Sequence, residues 1–503
     1  MLLYGKKSFF AAPCEVARRF ATLVGRVPSP GVEEARAWLV FAGQIEQAVR
    51  DAGGPREVEG ITDAAAALFV DAMKKEDTRP GRQRLLEKIA VITARLPRRA
   101  AEFRVPEGFA WYALYPDAYV KTAQRWAQRN PGPAARVIGM RSIGTALSAV
   151  VAETLQRAGT PDCGRVTVRP SGHPFAREIA LPEEAVHGGG SFIIVDEGPG
   201  LSGSSMASVA EALRAMGVSA RDIVFFPGHD KGPGPEARQE TRRWWQAERC
   251  WVTANEAIPL EFPPSALRLF GGFAAVDGTL ETLAERKRRR QMRLADEGLA
   301  LPSPAMAHGW IMLAPEGEPL SQAELDDTFM TRTLARYLAT AAQPGDGDAA
   351  GGIERIAEAL EACTGHDMES LSRRAMRETD ATRLAGDGRL SPAEWLRLSD
   401  GRIVKRNATG TDCEHDWAGP QALAWDIAGA AAEWDMDDDA LHLFLGTLES
   451  DYAIGVTPFA LAWHQAGYAA LELARARISG DAQRSDHFGK VLAAALTRLE
   501  ALR

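Results

Sequence analysis

The fold is decided by one stretch, "FIIVDEGPGLSGSSMASVAEALRAMG", at residues 192–217. Four apolar residues lead into two acids, Asp196 and Glu197, and a loop of glycines and hydroxyl side chains follows. The apolar residues after the loop recur at helical spacing. The stretch therefore predicts a buried strand that carries two carboxylates at its C-terminal tip, then a sharp turn, then a helix.

Similar strand and helix patterns surround this stretch. "ARVIGM" (135–140), "RVTVRP" (165–170) and "DIVFFPG" (222–228) are apolar, β-branched runs separated by helical segments. This alternation predicts an α/β fold with a doubly wound, mostly parallel sheet. Ligands of such sheets bind outside the carboxyl ends of the strands. We therefore expect Arg141, Asp196, Glu197 and residues 227–230 to lie at that edge.

The residue types at the tip of the strand suit a phosphorylated sugar. Carboxylates accept hydrogen bonds from vicinal hydroxyls, as acids do from ribose in dinucleotide folds. Glycines allow the loop to turn sharply, and its backbone N–H groups, its serines and the helix N-terminus form an anion cradle. The predicted ribose 5-phosphate site consists of Asp196, Glu197, Gly200, Leu201, Ser202, Gly203, Ser204 and Ser205.

The stretch resembles the motif by which type I phosphoribosyltransferases bind phosphoribosyl diphosphate (PRPP), in particular a divergent bacterial branch with DEGPGLSGSS-type motifs. It departs from the usual pattern in two ways: the 198–201 spacer looks one residue longer, and Glu197 stands where a second Asp is common. The resemblance implies a Mg²⁺-dependent transfer of ribosyl phosphate from PRPP to an acceptor, with release of pyrophosphate. Asp196 and Glu197 would hold the ribose hydroxyls and the metal, and Arg141 would act with them in catalysis.

Two further segments extend the resemblance. In "VIGMRSIGTALSAVVAETL" (137–155), Arg141 and Ser142 occupy a strand-to-helix loop, where this family holds pyrophosphate; a simple turn is the alternative. "VRPSGHPFARE" (168–178) places Arg169, His173 and Arg177 where the family often has a mobile catalytic hairpin, and a surface hairpin without a role is the alternative. The aromatic segment 108–126 could cover a planar acceptor or pack in the core. "HDKGPG" (229–234) could touch a substrate or form a polar turn.

The C-terminal segment 388–434 resembles the catalytic segment of aminoglycoside-phosphotransferase-like kinases. Aligned with that pattern, Arg389 takes the place of the catalytic Asp and Glu394 that of the following Asn, and Lys405 or Asn407 falls near the metal-binding Asp. Only Asp426 matches, and it corresponds to a structural acid. Asp387 and Asp412 remain alternative counterparts. We therefore expect an α+β kinase-like domain that has lost its activity.

The chain divides by these patterns into three predicted parts. Residues 1–103 form a helical N-terminal region without recognisable chemistry, residues 104–262 form the phosphoribosyltransferase-like domain, and residues 263–503 form the kinase-like domain. Two other functions stay open: a non-catalytic regulatory protein that binds a phosphoribosyl group or a nucleotide, and a phosphotransferase activity of the C-terminal domain.

Composition limits the partners and the compartment. The 503 residues are 46% hydrophobic and 25% charged with a formal charge of −8, so nucleic acid and membrane are not expected as partners. The basic run 285–293 is interpreted as a solvated helix face or a linker. Five scattered cysteines and the lack of an apolar leader favour the cytoplasm. The expected partners are PRPP and a small acceptor, and homodimerisation is left open.

Overall fold

The structure is a computed structural model that describes residues 7–132, 134–173, 175–245, 249–253, 267–314, 316–320, 327–344, 349–410 and 419–502. Helices and strands alternate along the chain, so the predicted α/β class holds at this coarse level. None of the helices in these ranges is long and apolar enough to cross a bilayer.

Four helices between two paired strands make up the N-terminal region. The elements are β1 (Ser8–Ala11), α1 (Pro13–Arg26), α2 (Val32–Asp51), α3 (Glu59–Met73), α4 (Arg79–Thr93) and β2 (Ala101–Arg104), which pairs antiparallel with β1. The helical character predicted for residues 1–103 is present in these four helices. On α2, apolar residues at helical spacing, such as Trp38, Leu39, Ile45 and Val49, are buried.

A parallel sheet follows. The elements are α5 (Glu107–Trp111), α6 (Pro116–Arg129), β3 (Ala135–Met140), α7 (Ile143–Arg157), β4 (Cys163–Val168), β5 (Ser171–His173), β6 (Ala176–Glu178), β7 (Ser191–Val195), α8 (Ser204–Ala215), β8 (Ile223–Phe226) and α9 (Gln239–Arg242). Four of the strands form one parallel sheet in the order β4-β3-β7-β8, and β5 and β6 form a separate antiparallel hairpin. The strands predicted from sequence are confirmed.

Both faces of the parallel sheet are covered. Val137, Ile193 and Val195 point to the side of α7 and the N-terminal helices, whereas Ile138, Ile194 and Met206 share a second core on the α8 side. Gly144 lets α7 begin close to the sheet, because a Cβ there would lie 2.6 Å from the carbonyl oxygen of Val195. Four strands make a smaller sheet than the complete doubly wound domain that was expected. A phosphoribosyltransferase-like fold therefore stays a prediction.

The C-terminal part consists of helices with small antiparallel sheets. Its elements are β9 (Leu267–Phe270), α10 (Leu283–Asp296), β10 (Ala305–Ala307), β11 (Trp310–Leu313), β12 (Glu318–Pro319), α11 (Asp327–Ala341), β13 (Gln343–Pro344), α12 (Ala349–Thr364), α13 (Glu369–Glu378), β14 (Arg383–Leu384), β15 (Trp395–Arg397), β16 (Ile403–Lys405), α14 (Leu423–Glu433), α15 (Asp438–Tyr452), α16 (Pro458–Ser479) and α17 (Ala482–Ala501). The three sheets have the orders β10-β11-β9, β12-β15-β16 and β13-β14. The strands β15 and β16 form an antiparallel hairpin.

Two sequence interpretations change once the packing is known. The basic run lies on α10, but Lys287 and Arg290 are buried, so the run is not simply a solvated helix face. The aromatic segment 108–126 mostly packs in the core: Phe109, Tyr119 and Trp126 are buried. The structure therefore favours the core alternative for this segment over a cover for a planar acceptor.

Candidate functional site

The candidate site lies where the order of the parallel strands reverses. The chain passes from β3 to β4 on one side and then returns to β7 on the other side of β3. A crevice at the carboxyl ends of the strands on either side of such a reversal is the usual ligand site of open α/β sheets. Arg141 and Ser142 directly follow β3, and Asp196 and Glu197 directly follow β7. The sequence therefore places the predicted residues at this crevice without reference to any family.

A cavity of about 460 Å³ opens at this edge. Six of the predicted site residues line it: Arg141, Ser142, Arg169, Arg177, Asp196 and Ser205. Three further charged residues, which the sequence patterns did not single out, also line it: Lys7, Arg104 and Glu107. The lining thus carries five cationic side chains against two carboxyls, and its net charge is positive although the whole chain is acidic.

The two acids at the tip of β7 are poorly hydrated. Burial raises the pKa of Asp196 to about 7, and burial together with the charges of Asp196 and Glu107 raises the pKa of Glu197 to about 8. Each side chain keeps some contact with solvent, but the surrounding protein removes most of its hydration. Carboxyls with raised pKa values in a cleft mark candidate ligand sites.

Backbone contacts fix the position of the acid pair. The Tyr119 hydroxyl donates to the backbone carbonyl of Asp196 at 2.7 Å. Gly228 N–H, in the loop after β8, donates to the carbonyl of Glu197 at 2.6 Å. The Glu197 side chain packs against Gly108, where a Cβ would lie 3.0 Å from its Oε1. Groups from three different segments therefore hold the tip of β7.

The loop between the acids and α8 turns through glycines. Gly200 and Gly203 have φ values of 54° and 65°, and the N–H of Gly203 donates to the carbonyl of Pro199 at 2.6 Å. The hydroxyls of Ser202 and Ser204 are buried and bonded to each other at 2.9 Å. Gly200 and Leu201 are exposed. Of the predicted loop, only Ser205 therefore lines the cavity, and the two preceding serines stabilise the turn.

The hairpin of β5 and β6 lies beside the cavity. Arg177 lines the cavity and donates to the carbonyl of Gly172 at 2.7 Å. His173 is exposed, and its Nδ1 accepts from the N–H of Phe175, so its ring stabilises the hairpin turn and does not line the cavity. The predicted hairpin is present, and of the three side chains predicted in segment 168–178, Arg169 and Arg177 line the cavity and His173 does not. In the 229–234 segment, the ring of His229 packs against Gly198.

A metal could be held only in part by the protein. Among the residues that the structure describes, no three His, Cys, Asp or Glu side chains are grouped so as to bind a metal ion by themselves. Mg²⁺ commonly binds one or two carboxylates together with the phosphates of a substrate. Of the predicted pair, Asp196 lines the cavity and fits such a shared site, whereas Glu197 does not line it.

A second buried acidic cluster lies in residues 386–426 of the C-terminal part. The carboxylate of Asp426 accepts the N–H groups of Gly386, Asp387 and Gly388 at 2.6, 2.9 and 2.8 Å. Asp387 is buried, accepts from Tyr337 and pairs with the buried Lys405 at 3.0 Å. Asp426 thus has the structural role expected of it.

The other residues of this segment that were aligned with the kinase pattern form local contacts. Lys405 donates to the carbonyl of Arg389, Glu394 lies 3.7 Å from Arg406, and Asn407 accepts from Thr409. Asp387, rather than Arg389, occupies the turn that Asp426 holds. Asp412 lies outside the described residues.

Comparisons with known proteins give only weak likenesses. No protein-family model matches the sequence, and no curated protein matches it significantly. Among solved structures, the chain is similar to the choline kinase LicA from Streptococcus pneumoniae (TM-score 0.32, 14% identity, 43% of this chain and 80% of that chain). It is also similar to a choline/ethanolamine kinase family protein from Mesorhizobium loti (0.30, 12%, 43% and 79%) and a choline kinase from Cryptosporidium parvum (0.29, 13%, 43% and 78%). None of these three is a phosphoribosyltransferase, and likeness at this level assigns neither a family nor an activity.

Proposed function

We propose that the protein is a Mg²⁺-dependent phosphoribosyltransferase whose site is the cavity at the edge of the parallel sheet. One observation carries the proposal: Asp196, the first acid after β7, and a cationic wall meet in the same cavity at the strand reversal. A ligand with vicinal hydroxyls at one end and phosphates at the other complements this charge distribution. PRPP has both.

Each part of the site has a role in this proposal. Asp196 and Glu197 accept hydrogen bonds from the ribose hydroxyls. Ser205 and the N-terminus of α8 bind the 5-phosphate, since helix N-termini favour anions. Arg141, Arg169 and Arg177 bind the diphosphate, because guanidinium groups form paired, charge-assisted hydrogen bonds to phosphate.

The reaction would need little covalent chemistry from the protein. The bond between ribose C1 and the diphosphate oxygen breaks, and its electron pair leaves with the diphosphate. A lone pair of the acceptor forms the new bond to C1, and the acceptor loses a proton. The carboxylates below the ring oppose the positive charge that develops at C1, and the arginines stabilise the leaving group. Bound Mg²⁺ would neutralise the diphosphate and supply Lewis-acid assistance.

Calorimetric titration of PRPP into the full chain, with and without Mg²⁺, tests the site. We expect Mg²⁺-enhanced binding that is lost in Asp196→Asn and retained in Asp222→Asn. Asp222 is a matched control, because it is a half-exposed aspartate beside the same sheet. Equal binding to wild type and Asp196→Asn would exclude the hydroxyl-binding role, and no binding to wild type would exclude the proposal.

Two other functions are separated by activity assays. Binding of PRPP without pyrophosphate release across a panel of nucleobase and amine acceptors would favour the non-catalytic regulatory protein. A phosphotransferase is the second candidate, because Asp426 holds the turn of Asp387 as a structural acid would in a kinase. Consumption of ATP that survives Asp196→Asn and is lost in Asp387→Asn would support it. Choline, the substrate in the names of the structural neighbours, belongs among the acceptors tested.

A further inference from the structure

One carboxylate from the N-terminal region joins two arginines of the cavity wall. Asp51 is the last residue of α2. Arg169 donates through Nε to Asp51 Oδ1 at 3.2 Å and through Nη2 to Oδ2. Arg141 Nη1 lies 3.3 Å from the same Oδ1. A single side chain, 90 or more residues away in sequence, thus bridges the two arginines.

A buried glutamine also binds the carboxylate of Asp51. Gln47, one helical turn earlier and fully buried, donates to Asp51 Oδ2 at 2.8 Å. The same amide accepts the N–H of Arg104 at 2.8 Å and donates to the carbonyl of Glu102 at 3.2 Å, which ties α2 to β2. The carboxylate is therefore held between Gln47 and the two arginines.

The position of Asp51 is unfavourable unless the arginines compensate for it. A negative charge at the C-terminal end of a helix opposes the helix dipole. Burial by itself would raise the pKa of Asp51, but hydrogen bonds from Arg169 and Gln47 and the charge of Arg141 hold that pKa below its usual value. The carboxylate is thus kept ionised by the two side chains that it bridges.

We propose that Asp51 is a positioning residue that fixes Arg141 and Arg169 side by side, so that together they bind a diphosphate group. This inference rests on the proposed function and deepens it. Two guanidinium groups that share one carboxylate are adjacent, and each keeps N–H donors that Asp51 does not use. A diphosphate has adjacent phosphoryl groups that match such a pair, whereas orthophosphate needs only one of the two.

The charge of Asp51 and its hydrogen bonds to the arginines predict opposite effects on anion binding when Asp51 is removed. Loss of its negative charge alone would strengthen anion binding. Loss of its hydrogen bonds would release two long side chains, which must then be ordered again when the ligand binds. The lining keeps an excess of positive charge even with Asp51 present, through Lys7, Arg104 and Arg177. We therefore expect the orientation effect to dominate.

The test is calorimetric titration of sodium pyrophosphate and, separately, of orthophosphate into the full chain without Mg²⁺. We expect Asp51→Asn to weaken pyrophosphate binding about tenfold, equivalent to about 1.4 kcal/mol, and orthophosphate binding by less than about threefold. Asp77→Asn is the matched control, because Asp77 forms an exposed ion pair with Arg79 in the same region. It should change neither affinity. Should Asp51→Asn fail to fold by circular dichroism, Asp51→Glu, which keeps the charge but displaces it, carries the same expectation.

The outcomes distinguish this inference from the proposed function. Pyrophosphate binding that is unchanged or tighter in the Asp51 variant, or an equal loss for both anions, would overturn the positioning role alone. If the wild-type chain binds neither pyrophosphate nor PRPP, the proposed function is overturned, and the positioning role with it.

Discussion

Replacing Asp196 with Asn should stabilise the unliganded protein while removing its ligand. Burial raises the pKa of this carboxyl from the usual 3.8 to about 7, so the folded state holds a proton that the unfolded state releases. For an acid with a raised pKa, stability falls as pH rises from the unfolded value to the folded one. Asn, a neutral group of the same size, does not carry this cost.

The size of the effect follows from the two pKa values. Each pKa unit corresponds to about 1.4 kcal/mol. The raised pKa of Asp196 therefore lowers the free energy of unfolding by about 4 kcal/mol at pH 8 and by roughly 1.5 kcal/mol at pH 5. The variant's advantage in free energy of unfolding should therefore grow by roughly 2 to 3 kcal/mol between pH 5 and pH 8. Above pH 8 the difference should level off.

Urea unfolding at pH 5, 6, 7 and 8, followed by tryptophan fluorescence, measures this difference. The two proteins should share the same denaturant slope, so that a shift in midpoint reports stability. Asp222→Asn, which removes a half-exposed carboxyl, should show no such growth with pH. A stability difference between wild type and Asp196→Asn that is independent of pH would refute the reasoning, because it would mean that Asp196 is as well hydrated in the folded state as in the unfolded one.

Two further substitutions test the loop and the second acidic cluster. Gly203→Ala should destabilise the protein by about 1 to 3 kcal/mol and weaken PRPP binding in calorimetry, because its φ is 65° and a Cβ would lie 2.5 Å from Nε1 of Trp245. Gly217→Ala, with a φ of 90° but open space around it, controls for backbone strain alone, and an equal loss of PRPP affinity there would contradict the loop's role. Lys405→Met should cost about 3 to 5 kcal/mol in urea unfolding, because it leaves a buried carboxylate unpaired, yet leave PRPP affinity unchanged; weakened PRPP binding would mean that the two regions are coupled.

Local patterns were enough to predict the elements that carry the site. The apolar runs that become β3, β4, β7 and β8 are short, β-branched and bounded by turn residues, and such features act within a few residues of each other. Parallel pairing then brings their carboxyl ends to one edge, which is why Arg141 and Asp196 could be placed together from sequence. The predicted loop was less accurate, since hydroxyl side chains can satisfy their own turn as readily as a ligand. Ser202 and Ser204 do the former.

Residues contributed by distant segments could not be predicted. Lys7, Arg104 and Glu107 line the cavity from the start of the chain and from the beginnings or ends of β2 and α5, and no spacing in the sequence encodes that arrangement. Asp51 resembles any polar residue at the end of a helix before a Gly-Gly turn. Lys287 and Arg290 were expected in solvent because charge runs usually lie there, but tertiary packing buried them. Long-range contacts, which a single sequence does not display, decided each of these cases.

The packing of the first 103 residues also explains why their contribution to the site could not be predicted from the sequence. The core that contains Phe41, Ile45 and Phe69 continues without interruption into α7 and the inner face of β3 and β7. The division between residues 103 and 104 stays a prediction about sequence, but one core of the described residues runs across it. Since α2 both covers the sheet and ends in Asp51, deleting the helical region would remove packing and charge together. Only a single substitution at Asp51 can separate a role in the site from a role in the fold.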